Sequence, residues 1–383
     1  MVQKIPASGL ESAGGSFKNI FINGDMRIAQ RATSATTISN LTYQTIDRIG
    51  GMEFTDGTAT LEQHSMSDAD EATTGQKFAA LWKCTGTDSS IAADQYAGVY
   101  QHVEAQNLQQ LNYGTSAAKD LTLSFWVRSN TTGTYSIGLR KYASTSHYIA
   151  LTYTIDSADT WEKKVIHISP TAGSTSLITG ANGVINNDNA VGFYVYIYTA
   201  LGSNYHTASP NTWTTSSIYG TSDQPNLMSS TSNNWYITGL QLEVGDTASD
   251  FEYLPHDISL QRCRRYYYKM GPGDSLDYFP YGVGSCATTQ VSQCHVMFPV
   301  EMRTDTTMET TGTAINYTIY EGGSLHPCDA VPSKSTGHDY GTRVNFNRNS
   351  SAGLNAGNAA ECLANGASGG GGDSSFLAFA AEL

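Results

Sequence analysis

The stretch NNWYITGLQLEVGDTASDFEYLPHDISLQRCRRYYYKM, residues 233–270, passes through three kinds of local structure without a gap. Its first part alternates. Leu240, Leu242 and Val244 fall on one side and Gln241 and Glu243 on the other, the period-two pattern of a strand with one dry face. Gly245 and Asp246 supply turn chemistry. Phe251, Tyr253 and Leu254 then form an extended run ended by Pro255, which biases its predecessor away from helix. A helix is expected next, N-capped by Asp257, with Leu260, Cys263, Tyr267 and Met270 recurring at spacings of three and four as its one apolar stripe. Arg262, Arg264, Arg265 and Lys269 lie elsewhere around it, toward the end where the helix dipole favours cations. The stretch thus closes one β-rich unit and opens another.

Upstream, LTLSFWVRS places Leu121, Leu123, Phe125 and Val127 on a core face and Thr122, Ser124, Trp126 and Arg128 on the other. TYSIGLRKY turns Tyr135, Ile137 and Leu139 inward, and YIALTYTI and WEKKVIHIS follow. Earlier strand candidates are NIFING, MRIAQRATS, YQTIDRIGGMEF, TATLEQHS, QKFAALWKCTG and YAGVYQHVEA, with NLQQLNYG a turn or short helical piece. Strands at such regular spacing, with no helical pattern between them, predict a sandwich or jelly roll. Downstream, SCATTQVSQCHVMFPVEMR and TAINYTIYEG read as strands, residues 364–373 as a glycine-rich loop and SSFLAFAAEL as a last strand. The expected fold class is all-β. It comprises an N-terminal arm (1–18), an N-terminal jelly-roll β-sandwich (19–254), a short connecting helix (255–270) and a smaller C-terminal β domain (271–383).

With 383 residues the chain is long enough for two cores. Charged residues make up only 14%, which suits strands and turns better than surface helices. A formal net charge of −13 argues against nucleic acid as a partner, because phosphate binding needs clustered Lys and Arg. The one basic cluster, Arg262 to Lys269, reads as a solvated helix face. No apolar run reaches the roughly 18 residues of a membrane span, so no membrane insertion is expected, nor is an export signal recognised. Six cysteines without a CxxC pair read as reduced and buried; Cys294-His295 with His326 and Cys328 is the alternative, a zinc site. No HExxH, phosphate loop or Ser/His/Asp order stands out.

The set NIFINGDMRIAQRATS, YQTIDRIGG, LTLSFWVRSNTTGTYSIGLR, TWEKKVIHI, the stretch from Trp235 to Lys269 and a terminal FLAFAAEL resembles a family of tail-fibre and related virion proteins of bacteriophages. The two ends of the first unit are similar to those of a carbohydrate-binding-module jelly roll. The resemblance runs from Lys4 onward and is densest from Asn19 to Lys269. It implies a virion appendage, assembled in the host cytoplasm, that meets the host surface as a homotrimer. The implied partners are other tail or capsid proteins and a host cell-surface glycan. It also implies a calcium site, for which Asn23, Asp25 and Glu243 offer hard oxygen ligands, although Gly239-Leu240-Gln241 replaces the acidic pair usual at the closing strand.

In GFYVYIYTA, Phe193, Val195 and Ile197 share one face, so Tyr194, Tyr196 and Tyr198 share the other. Tyrosines on the wet side of a sheet need a reason. Together with Trp126 on an equivalent outward face they form a shelf for sugar rings; alternatively the face is covered by the aperiodic 202–234 segment or a neighbouring subunit. Asp47 and Arg48 read as a paired charge anchoring the N-terminal strands. Asp68, Asp70 and Glu71 are the closest carboxylates to a catalytic set, in a turn where solvated charge is the default, so no enzyme is expected. The stripe Leu260, Cys263, Tyr267 and Met270 fits a trimer seam or docking onto its own sandwich. The leading expectation is a tail fibre or adhesin. The alternatives are a capsid or tail decoration fibre used for assembly, and a polysaccharide-degrading tailspike.

Overall fold

The computed structural model describes residues 17–271, 278–350, 352–365 and 375–383; most of the expected arm and of the glycine-rich loop lies outside them. The chain divides into two units, Met1–Leu254 and Pro255–Leu383.

Unit 1 begins with β1 (Thr36–Thr37), β2 (Gly50–Phe54) and β3 (Thr58–Ser65), then helix α1 (Asp68–Thr74). Next come β4 (Phe78–Gly86), β5 (Tyr96–Glu104), β6 (Leu121–Ser129) and β7 (Gly133–Lys141). The last four are β8 (His147–Ile155), β9 (Glu162–Ile168), β10 (Val191–Leu201) and β11 (Asn234–Val244). They form a six-stranded sheet ordered β1-β3-β4-β11-β6-β9 and a five-stranded sheet ordered β2-β5-β10-β7-β8. The chain passes repeatedly between the two, the path of a jelly roll. Leu121, Leu123, Phe125 and Val127 of one sheet and Ile137, Leu139, Val195 and Ile197 of the other belong to a single buried core, as their alternation predicts.

The closing strand β11 keeps both of its ends in that core only through a bulge. Between the pairs Thr238–Trp126 and Gln241–Ser124, β11 has one residue more than β6. Gly239 takes it up in the left-handed region (φ 59°). Trp235 and Ile237 before the bulge and Leu240 and Leu242 after it therefore all point inward. NIFING and MRIAQRATS are not regular strands. Ile20, Phe21 and Ile22 are buried, and the segment runs irregularly along β11 through Ile20 N–H to Leu242 O (2.8 Å) and Leu240 N–H to Gly24 O (2.9 Å).

In unit 2, helix α2 spans His256–Arg264. It is followed by β12 (Tyr267–Met270), β13 (Pro280–Cys286), β14 (Val291–Met297) and β15 (Thr307–Thr310). Then come β16 (Tyr317–Glu321), β17 (Ser324–Pro327), β18 (Ala330–His338), β19 (Gly341–Asn347), β20 (Ala359–Ala364) and β21 (Leu377–Ala380). A seven-stranded sheet ordered β17-β16-β20-β13-β14-β19-β18 and a three-stranded sheet ordered β12-β21-β15 enclose a core that includes Tyr281, Val296, Tyr317, Phe346 and Phe379.

The helix is shorter than its pattern suggests. Its N-cap position is Pro255, with Asp257 in the first turn, and it ends before Tyr266-Tyr267-Tyr268. Consecutive aromatics are poor helix formers and good strand formers. Here they gain a ladder, Tyr267 opposite Ala380 and Met270 opposite Leu377. Leu260, Cys263, Tyr267 and Met270 therefore do not share a helical stripe: Cys263 and Tyr267 are buried, and Met270 packs on the unit 2 core.

Candidate functional site

The outer face of the five-stranded sheet is aromatic because three neighbouring strands alternate in phase. On β10, Phe193, Val195 and Ile197 are buried in the core, which turns Tyr194, Tyr196 and Tyr198 outward. The rings of Tyr194 and Tyr196 lie 6.2 Å apart with planes at 20°, and Tyr196 and Tyr198 are also 6.2 Å apart. On β5, Tyr100 sits opposite Tyr196 and His102 opposite Tyr194. On β7, Arg140 sits opposite Tyr194 and Gly138 opposite Tyr196.

Gly138 is the position that shapes the site. A Cβ there would lie 2.7 Å from Cδ1 and 2.8 Å from Cβ of Tyr219, so the empty place on β7 is where the 202–234 segment seats its ring. Tyr219 meets Tyr196 edge-on (5.6 Å, 88°) and also packs on Tyr148 (5.5 Å) and Tyr205 (5.9 Å). The segment is fastened to β7 by Ser136, whose backbone N–H donates to Gln224 Oε1 (2.7 Å) and whose Oγ accepts from Thr221 N–H (3.1 Å). Between segment and sheet lies a cleft of about 180 Å³ lined by Leu41, Met52, Tyr96, Tyr196, Tyr198, Tyr205, Ser217 and Tyr219. That is below the roughly 300 Å³ at which sites for drug-sized ligands begin, so it suits a single ring rather than a buried chain.

The segment covers one end of the ladder and leaves the other open. Tyr198 is 4% exposed, whereas Tyr194 and Tyr196 are half-buried. The hydroxyls of Tyr196 and Tyr198 make no hydrogen bond to another described residue. Burial pushes both well above the ordinary tyrosine range, which keeps them protonated and able to donate. At the open end the Arg140 guanidinium lies over Tyr142 (4.8 Å) and Tyr194 (5.0 Å), held by Ser146 Oγ (2.9 Å). Flat aromatic surface, hydroxyl donors and one cation can stack and orient a sugar ring.

Trp126 is not part of this face. It lies on the six-stranded sheet, opposite Thr238 and Lys163. A second aromatic group there has Arg128 over Tyr236 (4.2 Å) and Trp161 (5.3 Å), with Asp70 accepting from Trp161 Nε1 (2.9 Å) and paired to Arg128 (3.4 Å). Glu71 pairs with Lys77 (2.8 Å), so two of the three carboxylates noted at 68–71 are already engaged. Asp47 and Arg48 are both buried: the Asp47 carboxylate accepts from Gln30 N–H (2.9 Å), and Arg48 Nη2 donates to His102 O (2.7 Å).

Asn23, Asp25 and Glu243, the residues named for calcium, each have partners within the protein. The Asn23 amide closes its own turn, donating to Ile28 O (2.9 Å) and Asp47 O (2.8 Å) and accepting from Ile28 N–H (2.9 Å). Asp25 pairs with Arg27. Glu243 accepts from Ser249 N–H (2.9 Å) and Oγ (2.6 Å), and the same Oγ accepts from the Lys18 ammonium (2.7 Å). In unit 2, Cys294 is buried while His295, next to it on the strand, is exposed on the opposite face; His326 instead faces Glu321 (3.6 Å). All six cysteines are buried thiols outside any disulfide, and the described residues contain no group of three or more His, Cys, Asp or Glu placed to hold a metal.

Tyr205 and Tyr219 escape sequence reading because the 202–234 segment has no period. The usable signals are the glycine inside TYSIGLRKY and the alternation of Tyr96, Tyr100 and His102 in YAGVYQHVEA.

The chain is thus a two-unit all-β protein whose first unit is a jelly-roll sandwich with an aromatic outer face. No protein-family model matches it, and no curated protein matches it in sequence. Among solved structures it is similar to the enzymatically active domain of tailspike protein 4 of bacteriophage CBA120, at 10% identity over 59% of this chain, with a TM-score of 0.27. That match spans only 21% of the tailspike chain. It is also similar to a family 11 carbohydrate-binding module of Clostridium thermocellum in complex with a mixed-linked tetrasaccharide (10% identity, 58% of this chain and 99% of that one, TM-score 0.27). No helix among the described residues is long and apolar enough to cross a membrane.

Proposed function

We propose that this chain is a non-enzymatic virion appendage, a phage tail fibre or adhesin that holds a host-surface glycan on the tyrosine face of unit 1. The observation that carries the reading is the cleft between Tyr196, Tyr198 and Tyr219, where two tyrosine hydroxyls lack a partner among the described residues and a ring-sized space adjoins them. The resemblance of residues 19–269 to phage tail-fibre proteins supports the virion role, and six buried cysteines outside any disulfide fit assembly in a host cytoplasm. The engagement of Asp70 and Glu71 with Arg128, Trp161 and Lys77 supports the absence of hydrolysis. A shallow one-ring site binds weakly, so the proposed working form is a homotrimer, in which avidity raises attachment without a tight single site.

The test is retention of the full chain on a glycan array, wild type beside Tyr196→Ala. Removing one stacking ring is expected to weaken the bound glycans about tenfold. Retention unchanged in both Tyr196→Ala and Tyr219→Ala overturns the assignment of this face. A monomer by sedimentation overturns the trimer.

A further inference from the structure

The seven-stranded sheet of unit 2 buries one face, and its other face carries side chains that have no partner among the described residues. On β14, Cys294 and Val296 lie in the core, so His295 and Met297 point out; on β19, Val344 and Phe346 lie in the core, so Arg343 and Asn345 point out. The register sets His295 directly opposite Arg343. Two basic side chains facing each other across strands repel when both are charged. Neither makes a side-chain hydrogen bond or ion pair to another described residue, and Arg343 Nε and Asn345 Oδ1 are buried with no partner. The Arg343 guanidinium is therefore without a counter-ion among the described residues.

Beside them stands an apolar platform. The rings of His338 and Tyr340, from the β18–β19 hairpin, are stacked at 5.8 Å and 14°, and Met297 is 72% exposed. Of the neighbouring carboxylates, Asp339 contacts the His338 ring, and Glu301 lies close enough to hold the Tyr340 hydroxyl above its ordinary range. The result is an open groove of about 360 Å³ whose lining includes His295, Met297, Thr336, His338, Tyr340 and Arg343.

We infer that this groove binds an anionic sugar, with a carboxylate or sulfate on the Arg343 fork beside His295 and the apolar side of the ring on Met297 and Tyr340. A planar guanidinium matches two oxygens of one anionic group. A bare inorganic anion would use the donors and leave the platform idle, and a neutral sugar would do the reverse. The inference does not rest on the tyrosine face of unit 1.

The experiment uses the full chain on an array of uronate-bearing, sialylated and sulfated oligosaccharides, each printed beside its neutral counterpart (methyl ester or desulfated). Wild type is expected to retain at least one charged member about tenfold more strongly than its neutral partner, as one charge-assisted contact would give. Carboxylates alone, or sulfates alone, would identify the anionic group. In an Arg140→Gln background, which removes the cation of the unit 1 face, Arg343→Gln is expected to abolish the preference and Tyr340→Ala to weaken both members of the pair. No preference in the Arg140→Gln protein overturns the inference, as does one that survives in an Arg140→Gln/Arg343→Gln protein with the melting curve of its parent. Should Arg343→Gln not fold, Tyr340→Ala decides, since its residue is 54% exposed and undiminished binding would refute the platform.

Discussion

Replacing Gly138 with alanine adds one methyl group to a strand that tolerates it, and the consequence depends on a residue 81 positions away in sequence. Gly138 is not among the residues with positive φ, so the backbone itself accepts a side chain. The methyl, however, would sit 2.7 Å and 2.8 Å from Cδ1 and Cβ of Tyr219. Because one of those atoms is the Cβ, rotating the ring does not relieve the contact, and the segment must lift. Lifting it disturbs the contacts of Tyr219 with Tyr148, Tyr196, Tyr198 and Tyr205. These rings move as one body, so the cost is that of a single overpacked site, about 1–3 kcal/mol, rather than a sum over pairs. Urea unfolding of the variant should show that loss, and glycan retention should fall with it as the cleft loses a wall. The decisive arm is the same substitution in a Tyr219→Gly background. With the ring and its Cβ both gone the three close contacts of the methyl go with them, and a glycine-to-alanine change at a compatible strand position is neutral or stabilising by about 0.4–1 kcal/mol. The effect should therefore vanish or reverse in sign, with a coupling of about 1–4 kcal/mol between the two sites. Equal effects of Gly138→Ala in both backgrounds would refute the seating of Tyr219 on β7 and the cleft with it.

Three further outcomes follow from the same geometry. Arg128→Ala removes the cation over Tyr236 and Trp161 and should lower stability by about 1–2 kcal/mol in thermal melts while leaving glycan retention unchanged, since it lies on the other sheet. Lys141 is fully buried, donates to Thr145 O (3.1 Å) and Asn182 O (2.8 Å), and is lowered by burial to about 8. An unfolded lysine titrates near 10.4, so between about pH 8 and 10 the unfolded state holds more protons and wild-type stability should rise relative to Lys141→Gln, by up to about 1.4 kcal/mol per unit of pKa difference; wild-type stability that stays flat or falls relative to Lys141→Gln in that window contradicts the lowered pKa. Finally, the mass of the full chain and of residues 1–254 in solution tests the trimer: a trimer that becomes monomeric on truncation places the oligomer contacts in unit 2, and a trimeric unit 1 places them on the sandwich.

The parts of the fold that were legible in the sequence are those in which one strand carries its own pattern. LTLSFWVRS, TYSIGLRKY and GFYVYIYTA announce which side faces the core, and the bulge at Gly239 does not hide β11 because the apolar residues remain dense on both sides of it. Legibility fails where the answer depends on a distant partner. RRYYYKM has helical spacing, but Tyr267 to Met270 pair with β21 more than a hundred residues later, and strand pairing overrides local periodicity. NIFING has an Asn-Gly turn, but its backbone follows β11, so it is buried without being a regular strand. Trp126 is outward-facing as its alternation says, yet alternation is silent on which of two sheets a strand joins.

The tyrosine face shows why the alternatives posed by the sequence were not exclusive. A shelf for sugar and a face covered by the 202–234 segment look like competing explanations of three outward tyrosines. In the structure the covering segment supplies Tyr205 and Tyr219 as walls, so it turns a flat shelf into a cleft. Had Gly138 carried a side chain, the segment would stand off and the ladder would be a bare aromatic surface, prone to association. Had the segment reached Tyr194 as it reaches Tyr198, the ladder would be core and nothing would bind. The glycine on β7 and the length of the segment act together: one admits the ring, and the other stops the cover short of Arg140. A ligand that enters at the Tyr194 end therefore meets a cation first and the cleft second, and Arg140→Gln should weaken glycans that carry an acidic group at that end more than their neutral counterparts. Equal weakening of both would mean that Arg140 serves the stacking of Tyr142 and Tyr194 rather than the ligand.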